Sequence, residues 1–225
     1  NQVQEAENML KIMGRTQQAY VLTALTMLFL TFPAITRADE TVVEAKLPSG
    51  KIASAEYRAG KPGKPAVLLL HGFLQTRGFP TVVSAADTLF AAGHTVLAPT
   101  LSLGISRRKM SLPCEAAHAH TLEQDVAELA YWTDWLAQRG HKRIILIGHS
   151  FGSVQILGYL NKKQSPAIAK AILISLTYVE VQQDATARAK LVRALRERAG
   201  QDKSLVEGAF GHCKKYVAPA PALLS

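Results

Sequence analysis

The chain has 225 residues, 48% hydrophobic and 19% charged, a balance that suits one globular domain with a sizeable core and excludes an intrinsically disordered chain. Its net charge of +9 comes from 26 Lys and Arg against 17 Asp and Glu, spread from Lys46 to Lys215 with no interleaved aromatic stripe. That is a solvated basic surface rather than a nucleic-acid interface, and without a C-x-x-C, His-rich or H-E-x-x-H pattern no metal or cofactor is implied.

Residues 1–38 read as upstream sequence and a secretory signal. Met9 or Met13 is followed by Lys11 and Arg15, an apolar core from Tyr20 to Ile35, and Thr36-Arg37-Ala38, so cleavage is expected after Ala38. The mature chain, residues 39–225, is then secreted or periplasmic; the alternative is an uncleaved N-terminal membrane anchor. Two cysteines remain, Cys114 and Cys213, and in an oxidising compartment they are expected to pair.

Thr41 to Leu47 and Lys51 to Tyr57 alternate apolar and polar residues around Pro48-Ser49-Gly50, the pattern of an N-terminal β-hairpin. Ala66 to Leu70 is a continuous apolar run of central-strand type that ends in His71-Gly72-Phe73. Thr81 to Ala92 reads as a helix stopped by Gly93, and His94 to Ala98 as a short strand closed by Pro99. Thr100 to Ala117 lacks periodicity and reads as a long surface loop, with Arg107, Arg108 and Lys109 as a solvated charge run. Thr121 to Arg139 repeats apolar residues at helical spacing, with Glu123, Asp125 and Glu128 early, where acids suit the helix dipole.

The segment Arg143 to Leu160 is the most informative. Ile144 to Ile147 form a buried-type strand that stops at Gly148, and a helix starts near Gly152, so Ser150 falls at a strand-to-helix corner within Gly148-His149-Ser150-Phe151-Gly152. A serine in so tight a turn needs strained backbone angles, and glycines two residues either side let strand and helix approach. The amide of Phe151, at the helix start, and that of Phe73, after the first buried strand, can then face one oxygen above Ser150. His71, Gly72 and His149 read as structural support for these turns rather than proton carriers.

Ala169 to Leu176 is a further buried-type strand, completing a strand-helix alternation that predicts an α/β fold with a mainly parallel sheet and helices on both faces. Gln182 to Ala199 reads as a basic amphipathic helix, part of a cap-like helical segment over about 177–212. The tail from Cys213 shows no further strand.

The paired motifs, His71-Gly72-Phe73 and Gly148 to Gly152, resemble those of the α/β-hydrolase superfamily, over roughly Thr41 to Leu176. The resemblance implies Ser150 as nucleophile, Phe73 and Phe151 as backbone oxyanion donors, a small-molecule acyl substrate, and no cofactor. It also implies a triad acid and histidine on loops after later strands, and here the match breaks. His212 is the only histidine downstream of Ser150, and Glu180 is the better-placed acid, ahead of Asp184 and Asp202; both are weak triad candidates. The chain is therefore expected to be a C-terminally truncated piece with the last strands missing and nearly inactive, the whole protein being a carboxylic ester hydrolase. The alternatives are a non-catalytic binding module on the same fold and a membrane-surface protein using the basic helix. No stable membrane partner is expected after signal cleavage, and the oligomeric state is not readable.

Overall fold

The structure is a computed structural model and describes residues 40–162, 165–176, 185–199 and 204–225. The predicted signal at residues 1–38 and the candidate acids Glu180, Asp184 and Asp202 lie outside these.

Strands β1 (Glu40–Lys46) and β2 (Ile52–Arg58) form the N-terminal hairpin. They are followed by β3 (Ala66–Leu70), α1 (Pro80–Ala91), β4 (Thr95–Thr100), α2 (Leu122–Gln138), β5 (Ile144–His149), α3 (Phe151–Lys162) and β6 (Ile168–Ile174). The six strands make one sheet in the order β1-β2-β4-β3-β5-β6. β4, β3, β5 and β6 run parallel, and the hairpin joins antiparallel through β2 and β4.

The composition of β3 explains its place at the centre. Every residue of Ala66-Val67-Leu68-Leu69-Leu70 is buried, because both faces of the sheet are covered. Val67 and Leu69 pack with Val82 and Ala86 of α1 on one face. Leu68 and Leu70 pack on the other with Leu129 and Trp132 of α2 and Ile156 of α3. This alternation fixes α3 against the sheet and so sets the height at which residue 150 emerges.

Three readings are corrected. β4 does not close at Pro99 but runs through it to Thr100: Pro99 stands opposite Ala55 of β2, and the β3 ladder ends at Leu97, so no parallel hydrogen bond is required of the proline there. The loop after β4 is not a surface loop throughout, since Leu101, Ser102 and Leu103 are buried and so is Arg108. Beyond α4 (Ala185–Ala199), the segment read as helical cap and strandless tail contains β7 (Leu205–Phe210) and β8 (Cys213–Pro219), an antiparallel pair, then the short α5 (Ala220–Leu224). Interruption of β7 by Gly208 and of the turn by Gly211 weakens the period-2 signal.

The β7–β8 pair is tied to the rest of the domain from one side. Cys114 and Cys213 form the expected disulfide, with Cα atoms 5.5 Å apart at a sequence separation of 99. Beside it, the His118 amide donates to the Val217 carbonyl at 2.8 Å, and the His118 and Tyr216 rings stack at 4.2 Å. Among the described residues no helix is long and apolar enough to cross a membrane.

Candidate active site

Ser150 stands between β5 and α3 with φ of +54°, in the left-handed region that a side chain normally avoids. The turn is held from below. The Ser150 amide donates to the Ile174 carbonyl of β6 at 2.9 Å, and the Ser153 hydroxyl donates to the Gly148 carbonyl at 2.8 Å. Both flanking glycines are required by space. A methyl on Gly148 would stand 2.6 Å from the backbone of Gly152, and one on Gly152 would stand 2.5 Å from the His71 carbonyl oxygen. The half-buried Ser150 is thus lifted from the sheet edge by contacts that no larger residue permits.

The second turn, after β3, meets the first. The Phe73 and Phe151 rings lie 5.3 Å apart edge to face, so the two residues whose amides were expected to converge are neighbours across the loops. His71 is wholly buried. Its Nδ1 donates to the Gly72 carbonyl at 2.9 Å and its Nε2 accepts the Leu101 amide at 3.1 Å. Burial is the main reason its pKa falls to about 3, with the Arg108 guanidinium acting in the same direction and the Gly72 bond against it. A neutral imidazole with both nitrogens engaged braces the loop and has no site from which to carry a proton.

A model of the alpha/beta hydrolase family matches residues 67–224, more than half of the sequence. The chain belongs to the alpha/beta hydrolase family. Among solved structures, this alpha/beta hydrolase superposes on a hypothetical protein from Pseudomonas aeruginosa at 13% identity and a TM-score of 0.57, covering 79% of this chain and 59% of that one. It superposes on the alpha/beta hydrolase GrgF from Penicillium sp. sh18 at 16% identity and 0.55, covering 83% and 63%. For an esterase from Exiguobacterium antarcticum the values are 18% and 0.50, covering 72% and 57%. At such identities the likeness shows the fold. The chain spans about half to two thirds of the length of the solved structures it matches. No curated protein gives a match.

The remaining predicted site residues are placed as follows. His149 is half-buried, with Nδ1 shut off from solvent and close to Gly72. His212 is exposed in the β7–β8 turn, its ring 5.5 Å from that of Phe73. Cys114, Cys213 and His212 lie within 4.8 Å of one another, a spacing that would suit a metal, but both sulfurs are engaged in the disulfide.

The charge run is corrected. Arg107 and Lys109 are exposed, whereas Arg108 turns inward and donates to the carbonyls of Leu101 at 2.7 Å, Gln75 at 2.7 Å and Met110 at 2.9 Å. It pins the loop after β4 to the turn that carries Phe73. Burial lowers its pKa to about 10, against Glu128 and Asp125, which raise it.

Sequence reading missed a polar cluster on α2. Asp125 and Glu128, whose early placement suits the helix dipole, are only 2% and 3% exposed. Glu128 accepts the Ser102 amide at 2.9 Å. Asp125 accepts from Nδ1 of His120 at 3.0 Å and, through its other oxygen, from Nε2 of Gln155 at 2.8 Å. The signal available was the run His118-Ala119-His120-Thr121 directly before the helix, where Thr121 and Gln124 form a capping box that fixes the helix start and so the His120 position.

His120 and Asp125 line a cavity of about 470 Å³ that begins at Phe151, the residue after Ser150. Phe73, Val154 and Leu157 also line it, as do Phe210 and Tyr216 of the β7–β8 pair, whose rings lie 5.5 and 5.8 Å from that of Phe73. The Tyr216 phenol is pushed up to about 12 by burial and by Asp125, and so stays neutral.

Proposed function

We propose that the whole protein is a serine hydrolase that cleaves carboxylic esters through an acyl-enzyme on Ser150. The observation that carries this reading is the Ser150 corner, a left-handed backbone at the mouth of a parallel sheet, enforced by Gly148 and Gly152 and adjoining a largely apolar cavity. In the reaction the Ser150 hydroxyl attacks the ester carbonyl carbon as its proton passes to a base. The carbonyl oxygen gains negative charge, met by the amides of Phe73 and Phe151. The acyl–oxygen bond then breaks, the alcohol leaves with a proton, and water releases the acid by the same route. Both the Phe73–Phe151 contact and the start of α3 at Phe151 support the oxyanion assignment.

The 225 residues alone are proposed to carry little of this activity, and the exposure of the downstream histidine candidate His212 in a hairpin turn supports that reading. The disulfide supports export, and exported protein is expected to have an intact mass beginning at Asp39.

The test is labelling of the whole protein by a fluorophosphonate. Stoichiometric labelling that is lost in Ser150→Ala is expected. A folded wild-type protein that resists the reagent would instead be the binding module, and the hydrolase reading would be abandoned.

A further inference from the structure

We infer that Arg108 is a positioning residue for the acyl transfer proposed at Ser150: acting through the His71 ring and the Gly72 carbonyl, it fixes the direction of the Phe73 amide. The role given to that amide rests on the proposed function, whereas what holds it is geometry.

The Phe73 N–H belongs to the peptide unit between Gly72 and Phe73, and in a planar trans peptide the carbonyl and the N–H point opposite ways. Fixing the Gly72 carbonyl therefore fixes the amide. Two donors hold that carbonyl, Nδ1 of His71 at 2.9 Å and the Gln75 amide at 3.2 Å. The Phe73 amide itself meets no acceptor among the described residues, which leaves it for a ligand oxygen. Leu74, next in the chain, has φ of +56°, so this turn needs restraint from outside.

Arg108, 5% exposed, supplies it. Its Nη2 donates to the Gln75 carbonyl at 2.7 Å and lies 3.3 Å from Nε2 of His71, while Nε and Nη1 donate to Leu101 and Met110. A guanidinium offers donors only. The Leu101 amide, 3.1 Å from the same Nε2, is a donor as well. Nε2 therefore presents its lone pair, the ring hydrogen sits on Nδ1, and the Gly72 carbonyl receives it. Removing the guanidinium frees the Gln75 carbonyl and leaves a single donor on Nε2, so both supports of the Gly72 carbonyl loosen. Filling this space needs no charge, and burying one is costly; what the guanidinium adds is the fixed direction of its donors.

The experiment uses the whole protein and two readouts. In nitrogen NMR of the 15N-histidine-labelled wild type, His71 is expected with its hydrogen on Nδ1; hydrogen on Nε2 overturns the inference whatever the activity. With 4-nitrophenyl butyrate, Arg108→Met is expected to lose about 100-fold in kcat with KM unchanged within about threefold, at a temperature where circular dichroism shows it folded. Should Arg108→Met not fold, His71 carries the same test. His71→Asn keeps a donor for the Gly72 carbonyl and should stay within about tenfold of the wild-type kcat, whereas His71→Leu should lose about 100-fold. Arg107→Met, exposed at the adjacent position, should alter neither constant. A folded Arg108→Met with the wild-type kcat, or equal kcat in His71→Asn and His71→Leu, overturns the inference. A wild-type protein that resists fluorophosphonate removes the hydrolase reading and this one with it. A wild-type protein that is labelled, with variants that keep its rate, removes only this one.

Discussion

Replacing Gly152 by alanine tests whether the corner depends on the close approach of two backbones. The added methyl would lie 2.5 Å from the His71 carbonyl oxygen and 3.0 Å from the Leu70 Cβ, where ordinary contact begins near roughly 3.5 Å. Relief requires α3 and the end of β3 to part by about 1 Å. Neither side gives easily: His71 is held through its ring to Leu101, and α3 is tied through Ser153 to Gly148. Alanine gains about 1 kcal/mol over glycine in a helix, while overpacking against rigid neighbours costs about 1–3 kcal/mol. The second effect should win, because the obstacle is backbone.

The expected result is a net loss of up to about 2 kcal/mol in urea unfolding. A larger effect is expected on fluorophosphonate labelling of Ser150, of order 100-fold, because a displacement of about 1 Å moves the Phe73 turn away from the serine. Gly208→Ala is the control: no atom lies within 4 Å of its added methyl, and it should change stability by no more than about 0.5 kcal/mol. If Gly152→Ala unfolds at the same urea concentration as Gly208→Ala and labels at the wild-type rate, the corner is not held by glycine contact.

Glu128 should make stability depend on pH in a direction opposite to that of most acids. Burial, helped by Asp125 and opposed by the Ser102 amide, raises its pKa to about 7, so the folded state holds the proton more tightly than the unfolded one. The resulting stabilisation is complete below the unfolded value of 4.5 and disappears as pH rises through about 7. Urea midpoints at pH 5 and pH 8 should reveal a contribution of about 2–3 kcal/mol that Glu128→Gln removes; an unchanged pH dependence in that variant would place the proton elsewhere. For the disulfide, the 99-residue separation gives an upper value of about 4.7 kcal/mol in the chain-entropy model. Cys114→Ser with Cys213→Ser should lower the urea midpoint and also weaken ligand binding in the cavity, since Phe210 and Tyr216 line it from the tethered β7–β8 pair. Binding unaffected by the double substitution would show that the pair is held by its other contacts alone.

The parts of this molecule that were readable from sequence are those in which one local rule decides the structure. Ala66 to Leu70 could only be a strand covered on both faces, and it is. Gly148 and Gly152 around Ser150 are dictated by contacts within one turn, and the pattern carries that information along the chain. Arg108 shows the opposite case. Between Arg107 and Lys109 nothing local distinguishes it, and only the carbonyls of Leu101, Gln75 and Met110, brought together by the packing of two loops, turn it inward. Asp125 is similar: at the start of a helix an acid is satisfied by the dipole alone, so its burial becomes apparent only when Gln155, thirty residues on, arrives from α3. β7 and β8 were missed because glycines interrupt their alternation and their support comes from a distant disulfide. The residues that position the corner are therefore local and legible, whereas the inward turn of Arg108 and the burial of Asp125 are set by tertiary contacts.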